Sequence, residues 1–320
     1  MTAEISKASS SENTSPKPFR FLVFSDLHYE PGVLCSDSPA RLQTILARAE
    51  RENVSFVIQL GDFCHNREKN GWLVDQYLSS PIPVYSGFGN HDTDRMTVEE
   101  NLALFHMENN YYFFDRGGYR FLMLDPNYDF DGMECRHYAP GLQRHSNRGY
   151  LPPEQLAWLD KTLRESPYPC ILFSHESAER TNGILNRDDA WNIISAVHRE
   201  TAVRVLLWIN GHYHCDNFTV INDVCCLDLN SVSYYWSGVE NHCYTEEEYQ
   251  KTSLLKYCLF YDTALSAVIT LNGSESISVS GTEGNFLGNP SEDEILRLDQ
   301  LRISDSRRTV PYISNYQHQF

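Results

Sequence analysis

Five times in this chain a short apolar run stops at residues able to bind a cation, and that rhythm constrains the fold more than any other feature of the sequence. Residues 56–60 form an apolar run bounded by polar residues, which reads as a buried strand, and it ends abruptly in Gly61-Asp62. A glycine there lets the backbone turn and a neighbour approach closely, while the aspartate places an acceptor-only group at the rim of a sheet. A Gly-Asp step by itself is more often a plain turn. The arrangement recurs, however: residues 19–24 run into Asp26 and His28, 82–85 into Asn90-His91-Asp92, 170–173 into His175, and 203–209 into His212 and His214. The carboxyl ends of strands are where α/β proteins hold ligands.

Helical patterns separate these strands. Residues 40–52 carry Leu42, Ile45, Leu46 and Ala49 at the spacing of a stripe that covers a sheet, so the flanking strands should pair in parallel with a right-handed crossover. Thr97 with Glu100 has the form of a capping box for a helix over 97–105, and 152–163 and 190–198 read as amphipathic helices. Alternating aromatic and apolar residues around Arg116-Gly117-Gly118 predict a hairpin over 111–125. Residues 125–149 show no period, and a long irregular insert of this kind is usually functional or mobile. Strand material follows at 218–221, 224–229, 256–260, 267–271 and 276–279. The expected organisation is a flexible polar leader over 1–17, one domain over 18–285, and a C-terminal helix and arm over 286–320 that packs on it.

Composition narrows the function. A net charge of −17 over 320 residues repels nucleic-acid backbones and anionic membranes, so neither partner is expected. The first residues lack a signal-peptide core, and the nine scattered cysteines read better as reduced thiols than as a disulfide framework, which together predict a cytoplasmic protein.

Collected, the strand-end residues are Asp26, His28, Asp62, Asn90, His91, His175, His212 and His214. Carboxylate, amide oxygen and imidazole suit divalent Mn, Fe or Zn, and the lack of cysteine excludes a typical structural zinc site. In extended backbone Asp26 and His28, two apart, would point to the same face.

The ordered series Asp26-x-His28, Gly61-Asp62, Gly89-Asn90-His91-Asp92, His175 and Gly211-His212-x-His214 resembles the calcineurin-like metallophosphoesterases. The resemblance implies an α/β fold of four layers, an αββα sandwich of two mixed sheets flanked by helices. It implies two divalent metal ions, one held by Asp26, His28 and His214, the other by Asn90, His175 and His212, with Asp62 bridging. A bridging hydroxide would attack a small phosphomonoester or phosphodiester in line. His91 would bind the substrate or protonate the leaving oxygen, with Asp92 orienting its ring.

Where the purple acid phosphatases of this family carry a tyrosine, three positions after the bridging aspartate, this chain has His65, so an iron-tyrosinate site is not expected. Tyr29, His65 and Asn230 are candidates to touch substrate, whereas His106, His137, His145, His198 and His242 match no motif and read as surface or loop residues. A nuclease of the same fold and a non-catalytic metal-binding scaffold are the alternatives.

Overall fold

The computed structural model describes residues 18–30, 37–65, 67–301 and 308–320, so the leader at 1–17 lies outside the described residues. Alternation within one strand shows how the layers arise. In Phe19–Phe24, Phe21 and Val23 point into one apolar cluster and Leu22 and Phe24 into another, and all four are buried. A strand apolar on both faces needs a cover on each side.

The first cover is a second sheet. One six-stranded sheet has Phe19–Phe24 at its centre, with Val57–Gln59 and Val84–Ser86 parallel to it on one side and Ala267–Asn272, Ser276–Ser280 and Tyr316–Gln319 antiparallel in succession on the other. The other sheet runs Asn217–Ile221, Val224–Asp228, Val205–Asn210, Cys170–Ser174, Tyr119–Met123 and Tyr112–Arg116, with its four central strands parallel. Aromatic packing joins the sheets: Phe21 stacks on Phe56 at 4.9 Å and meets Phe121 edge-on at 5.5 Å.

Helices supply the outer covers. Leu42, Ile45 and Ala49 of Ser38–Arg51 and Leu73, Val74 and Tyr77 of Arg67–Leu78 close the first sheet. Leu159 and Leu163 of Pro153–Arg164 and Trp191, Ile194 and Val197 of Arg187–Glu200 close the second. The result is the mixed four-layer sandwich that the sequence predicts. The Thr97–Glu100 capping box is present in full, and Asn222 and Asp223 both take positive φ in the turn between Asn217–Ile221 and Val224–Asp228.

The 125–149 insert contains a small hairpin, Tyr128–Phe130 against Cys135–His137. His137, expected as a surface or loop residue, lies in this insert, nearly buried and paired with Asp125 at 2.7 Å. Likewise, His198 accepts a hydrogen bond from the Val205 amide. No helix among the described residues is long and apolar enough to cross a membrane.

Candidate metal centre

The strand ends meet because two glycines permit close approach. A side chain at Gly61, which has φ +117°, would collide with the backbone of Gly89, and one at Gly211 would strike Ser25 and the Asp26 carboxylate. Gly211 thereby brings the end of the second sheet onto the end of the first, and the His212 amide donates to Asp26 Oδ2 at 3.0 Å.

Backbone conformation then aims the side chains. Asp26, His28, Asp62, His212 and His214 all have φ between 47° and 68°. This left-handed region is unfavourable for residues other than glycine and collects at functional sites. Asp26 and His28 therefore do not share a face through extended backbone, as the sequence suggests. They converge because both turn out of the strand.

Three groups of ligand-type atoms result among the described residues: Asp26, His28 and His214; Asp62, His175 and His212; and a more exposed one, His65, His91 and Asp94. The first two lie together at the strand ends. Asp26 Oδ1 lies 3.2 Å from His214 Nε2 and 3.6 Å from His28 Nε2, and those two nitrogens are 3.2 Å apart. Asp62 Oδ2 lies between the groups, 3.6 Å from His28 Nε2 and 3.2 Å from His175 Nε2.

The second ring nitrogens are anchored, which directs Nε2 of each imidazole inward. His175 Nδ1 faces the Leu60 carbonyl at 3.1 Å, His214 Nδ1 the Tyr234 carbonyl at 2.9 Å, and His28 Nδ1 the Nε2 of His65 at 3.4 Å. The His28 and His65 rings are within 15° of coplanar with centroids 5.6 Å apart, the spacing of two imidazoles meeting edge to edge.

Among the described residues, Asp26 Oδ1, Asn90 Oδ1 and His175 Nε2 are buried with no aligned hydrogen bond, Asp26 Oδ1 and His175 Nε2 having only ion-pair neighbours, the nearest at 3.2 Å. Buried polar atoms are rarely left so, and an oxygen, oxygen and nitrogen set of this kind fits a divalent cation.

Electrostatics agree with metal binding at Asp26, Asp62, His28 and His212, whereas His175 has to give up a proton to become a ligand. Burial alone would raise the carboxyls of Asp26 and Asp62, yet the surrounding imidazoles hold both well below the usual range. Burial brings His28 down to about 4 and His212 to about 3, so both rings are neutral near pH 7, the form that binds metal. For His175 the carboxylates of Asp62 and Asp26 outweigh burial and raise the ring well above its ordinary value. For His91 the same contest, with Asp62 and Asp94 opposing burial, ends at about 9.

Asp92, expected to orient His91, sits elsewhere. It is buried, and its carboxylate accepts from the amides of Asp62 at 2.8 Å, Phe63 at 3.0 Å and Gly89 at 2.8 Å, knitting two ligand loops together. Asp94 holds His91 Nδ1, at 2.6 Å. A turn brings the carboxylate three residues on to the ring and sends the adjacent one to the opposite side. That spacing is the one signal in the sequence for Asp94.

A cavity of about 390 Å³ opens over the two groups. His28, Asp62, His65, His91, His212 and His214 line one part of it, and Tyr213, Tyr234, Trp236 and Leu254 the rest. Of the substrate candidates only His65 lines it. Tyr29 is buried with its ring against Trp72, because its side chain follows the backbone away from the rim. Asn230 is also buried, donating to the carbonyls of Val310 and Tyr312 and accepting from the Tyr261 hydroxyl, so it ties down the C-terminal arm.

The sequence pattern of the calcineurin-like phosphoesterases matches residues 19–216. The chain therefore belongs to the calcineurin-like phosphoesterase family, whose members use divalent metals. Among solved structures it is similar to a dimetal phosphatase from Danio rerio, with 14% identity and a TM-score of 0.54 over 84% of this chain and 98% of that one. It is also similar to GAP50, the anchor in the inner membrane complex of Plasmodium, with 13% identity and a TM-score of 0.50 over 91% and 95% of the two chains. At these identities the likeness shows the fold alone. No curated protein matches the sequence.

Proposed function

We infer that the protein is a metal-dependent phosphohydrolase that cleaves a small phosphomonoester or phosphodiester at a pair of divalent ions. The observation that carries this reading is the pair of adjacent ligand groups with Asp62 Oδ2 between them. Asp26, His28 and His214 would hold one ion, Asn90, His175 and His212 the other, and Asp62 both. When bound, such ions supply Lewis acidity at the phosphoryl oxygens and acidify the attacking water.

The protein's own groups do the rest. His91 is 45% exposed at the cavity, so its Nε2 can meet substrate while Asp94 fixes Nδ1. In this reading His91 holds a proton at Nε2 and passes it to the leaving oxygen. None of the ten described residues lining the cavity is Lys or Arg, which favours a small ester over a polynucleotide backbone.

The test is hydrolysis of matched monoester and diester substrates after Mn²⁺ loading, with metal content measured on the same sample. The expected outcome is turnover with about two ions per chain. Asp62→Ala should lose both metal and turnover, while His91→Ala should keep its metal and lose about 10²- to 10⁴-fold in rate. A fully metallated protein that turns over neither ester would favour the scaffold alternative and refute this reading.

A further inference from the structure

Part of the cavity lining is built for something apolar and flat. Tyr234 and Trp236 lie on a two-stranded ribbon, Tyr234–Trp236 paired with Cys258–Phe260, and Leu254 sits in the short turn Ser253–Lys256 beside it. All three fall beyond residue 216, outside the segment that matches the family pattern.

The wall is coupled to the ligands rather than loosely apposed. The Tyr234 carbonyl accepts from His214, and its ring lies 4.6 Å from the His214 ring and 5.4 Å from that of His28. Trp236 remains 38% exposed, yet its ring is backed by Tyr257 at 5.9 Å and 29°, which presents an indole to the cavity in a defined position.

His91 shares the cavity with these aromatic residues. Its ring stands 5.5 Å from His28, and Tyr234 stands 5.4 Å from the same ring, so the proton donor and the aromatic wall flank one ligand. The group that receives the proton in the phosphoesterase reading is the leaving alcohol, and the cavity that holds His91 also holds Tyr234 and Trp236.

Resting on the phosphoesterase reading above, the geometry points to a substrate class: a phosphoester whose leaving alcohol carries a planar aromatic group, held against Trp236 with Tyr234 and Leu254 beside it. Aromatic rings gain from offset or edge contacts beyond the burial of area, and the water-exposed indole gains most when covered by another π face. An alkyl group of equal size gains the burial alone.

The experiment uses phosphonates, whose C–P bond is not hydrolysed, so binding is read without turnover. Calorimetric titration of the Mn²⁺-loaded protein compares benzylphosphonate with cyclohexylmethylphosphonate, of the same bulk, and with ethylphosphonate. Benzylphosphonate should bind about tenfold tighter than ethylphosphonate and also tighter than the cyclohexyl analogue. The preference should fall toward unity in Trp236→Ala and survive in part in Trp236→Phe, and Leu254→Ala should reduce it independently.

Equal binding of benzyl- and cyclohexylmethylphosphonate, no preference over ethylphosphonate, or a preference untouched in Trp236→Ala overturns the inference. Binding of none of the three overturns both it and the phosphoesterase reading. Selective binding of the benzyl compound by a protein that turns over no ester would uphold the aromatic subsite and refute the catalytic reading alone.

Discussion

Asp92 separates a structural from a chemical role for the residues around His91. Its carboxylate accepts from three buried amides, those of Asp62, Phe63 and Gly89. Removing a buried acceptor strands each donor at about 1–3 kcal/mol, so three donors set a gross loss of about 3–9 kcal/mol for Asp92→Ala. Two effects reduce it. Water entering the emptied space satisfies part of the loss, and the buried charge disappears, whose cost is visible in a carboxyl pushed up to about 7 by burial and by Asp62. A net destabilisation of about 2–4 kcal/mol remains. At about 2 °C per kcal/mol for a chain of this size, the melting temperature should fall by about 4–8 °C, measured at one fixed Mn²⁺ concentration because bound metal adds its own stability.

Asp94→Ala is the control. Its carboxylate is 43% exposed and touches the His91 ring, so stability should move by no more than about 0.5 kcal/mol while turnover falls about tenfold. A thermally neutral Asp92→Ala, or an Asp94→Ala as destabilised as Asp92→Ala, would refute the assignment of the two carboxylates.

Three further outcomes are expected. His65→Phe removes the acceptor of His28 Nδ1 and should weaken metal binding about 10- to 100-fold, seen by Mn²⁺ titration as a loss at one of two sites; unchanged affinity at both would free His28 of any dependence on His65. Gly211→Ala forces a methyl group onto Ser25 and Asp26 and should cost about 1–3 kcal/mol together with metal affinity, and wild-type values in denaturation and metal titration would show that the two sheet ends can separate without penalty. The third concerns the insert, whose hairpin is held to its first residue, Asp125, by His137.

Burial disfavours both charges, yet each partner overcomes this for the other, lowering Asp125 and raising His137. The raised imidazole contributes fully below its unfolded value of about 6.5 and is lost as pH rises through its folded value. The lowered carboxyl contributes fully above about 3.9 and is lost as pH falls through its folded value. Amide hydrogen exchange in 125–149, corrected for intrinsic rates, should therefore be slowest between about pH 4 and 6.5 and accelerate on either side. A flat profile would show that the pair does not hold the insert.

Much of the fold was legible because its signals are local. Alternation buried on both faces in Phe19–Phe24, the helical stripe from Leu42 to Ala49 and the Thr97–Glu100 box each depend on residues within a few positions of one another. The order of strand ends and the ligand-type residues on them are local in the same sense, and so Asp26, His28, Asp62, Asn90, His175, His212 and His214 could be named from the sequence as strand-end residues of ligand type.

Tertiary structure decided what those residues face. Whether Asp92 or Asp94 meets His91 depends on a turn whose acceptors are spent on amides about thirty positions away, 30 and 29 for Asp62 and Phe63. Asn230 became an anchor because an arm 80 residues later returns to it, and His212 meets Asp26 across 186 residues through the approach Gly211 allows. Periodicity and residue chemistry determined which groups stand at the rim of the sheets. Sheet order and left-handed backbone determined where they point, since both are set by packing between segments that carry no sequence record of each other.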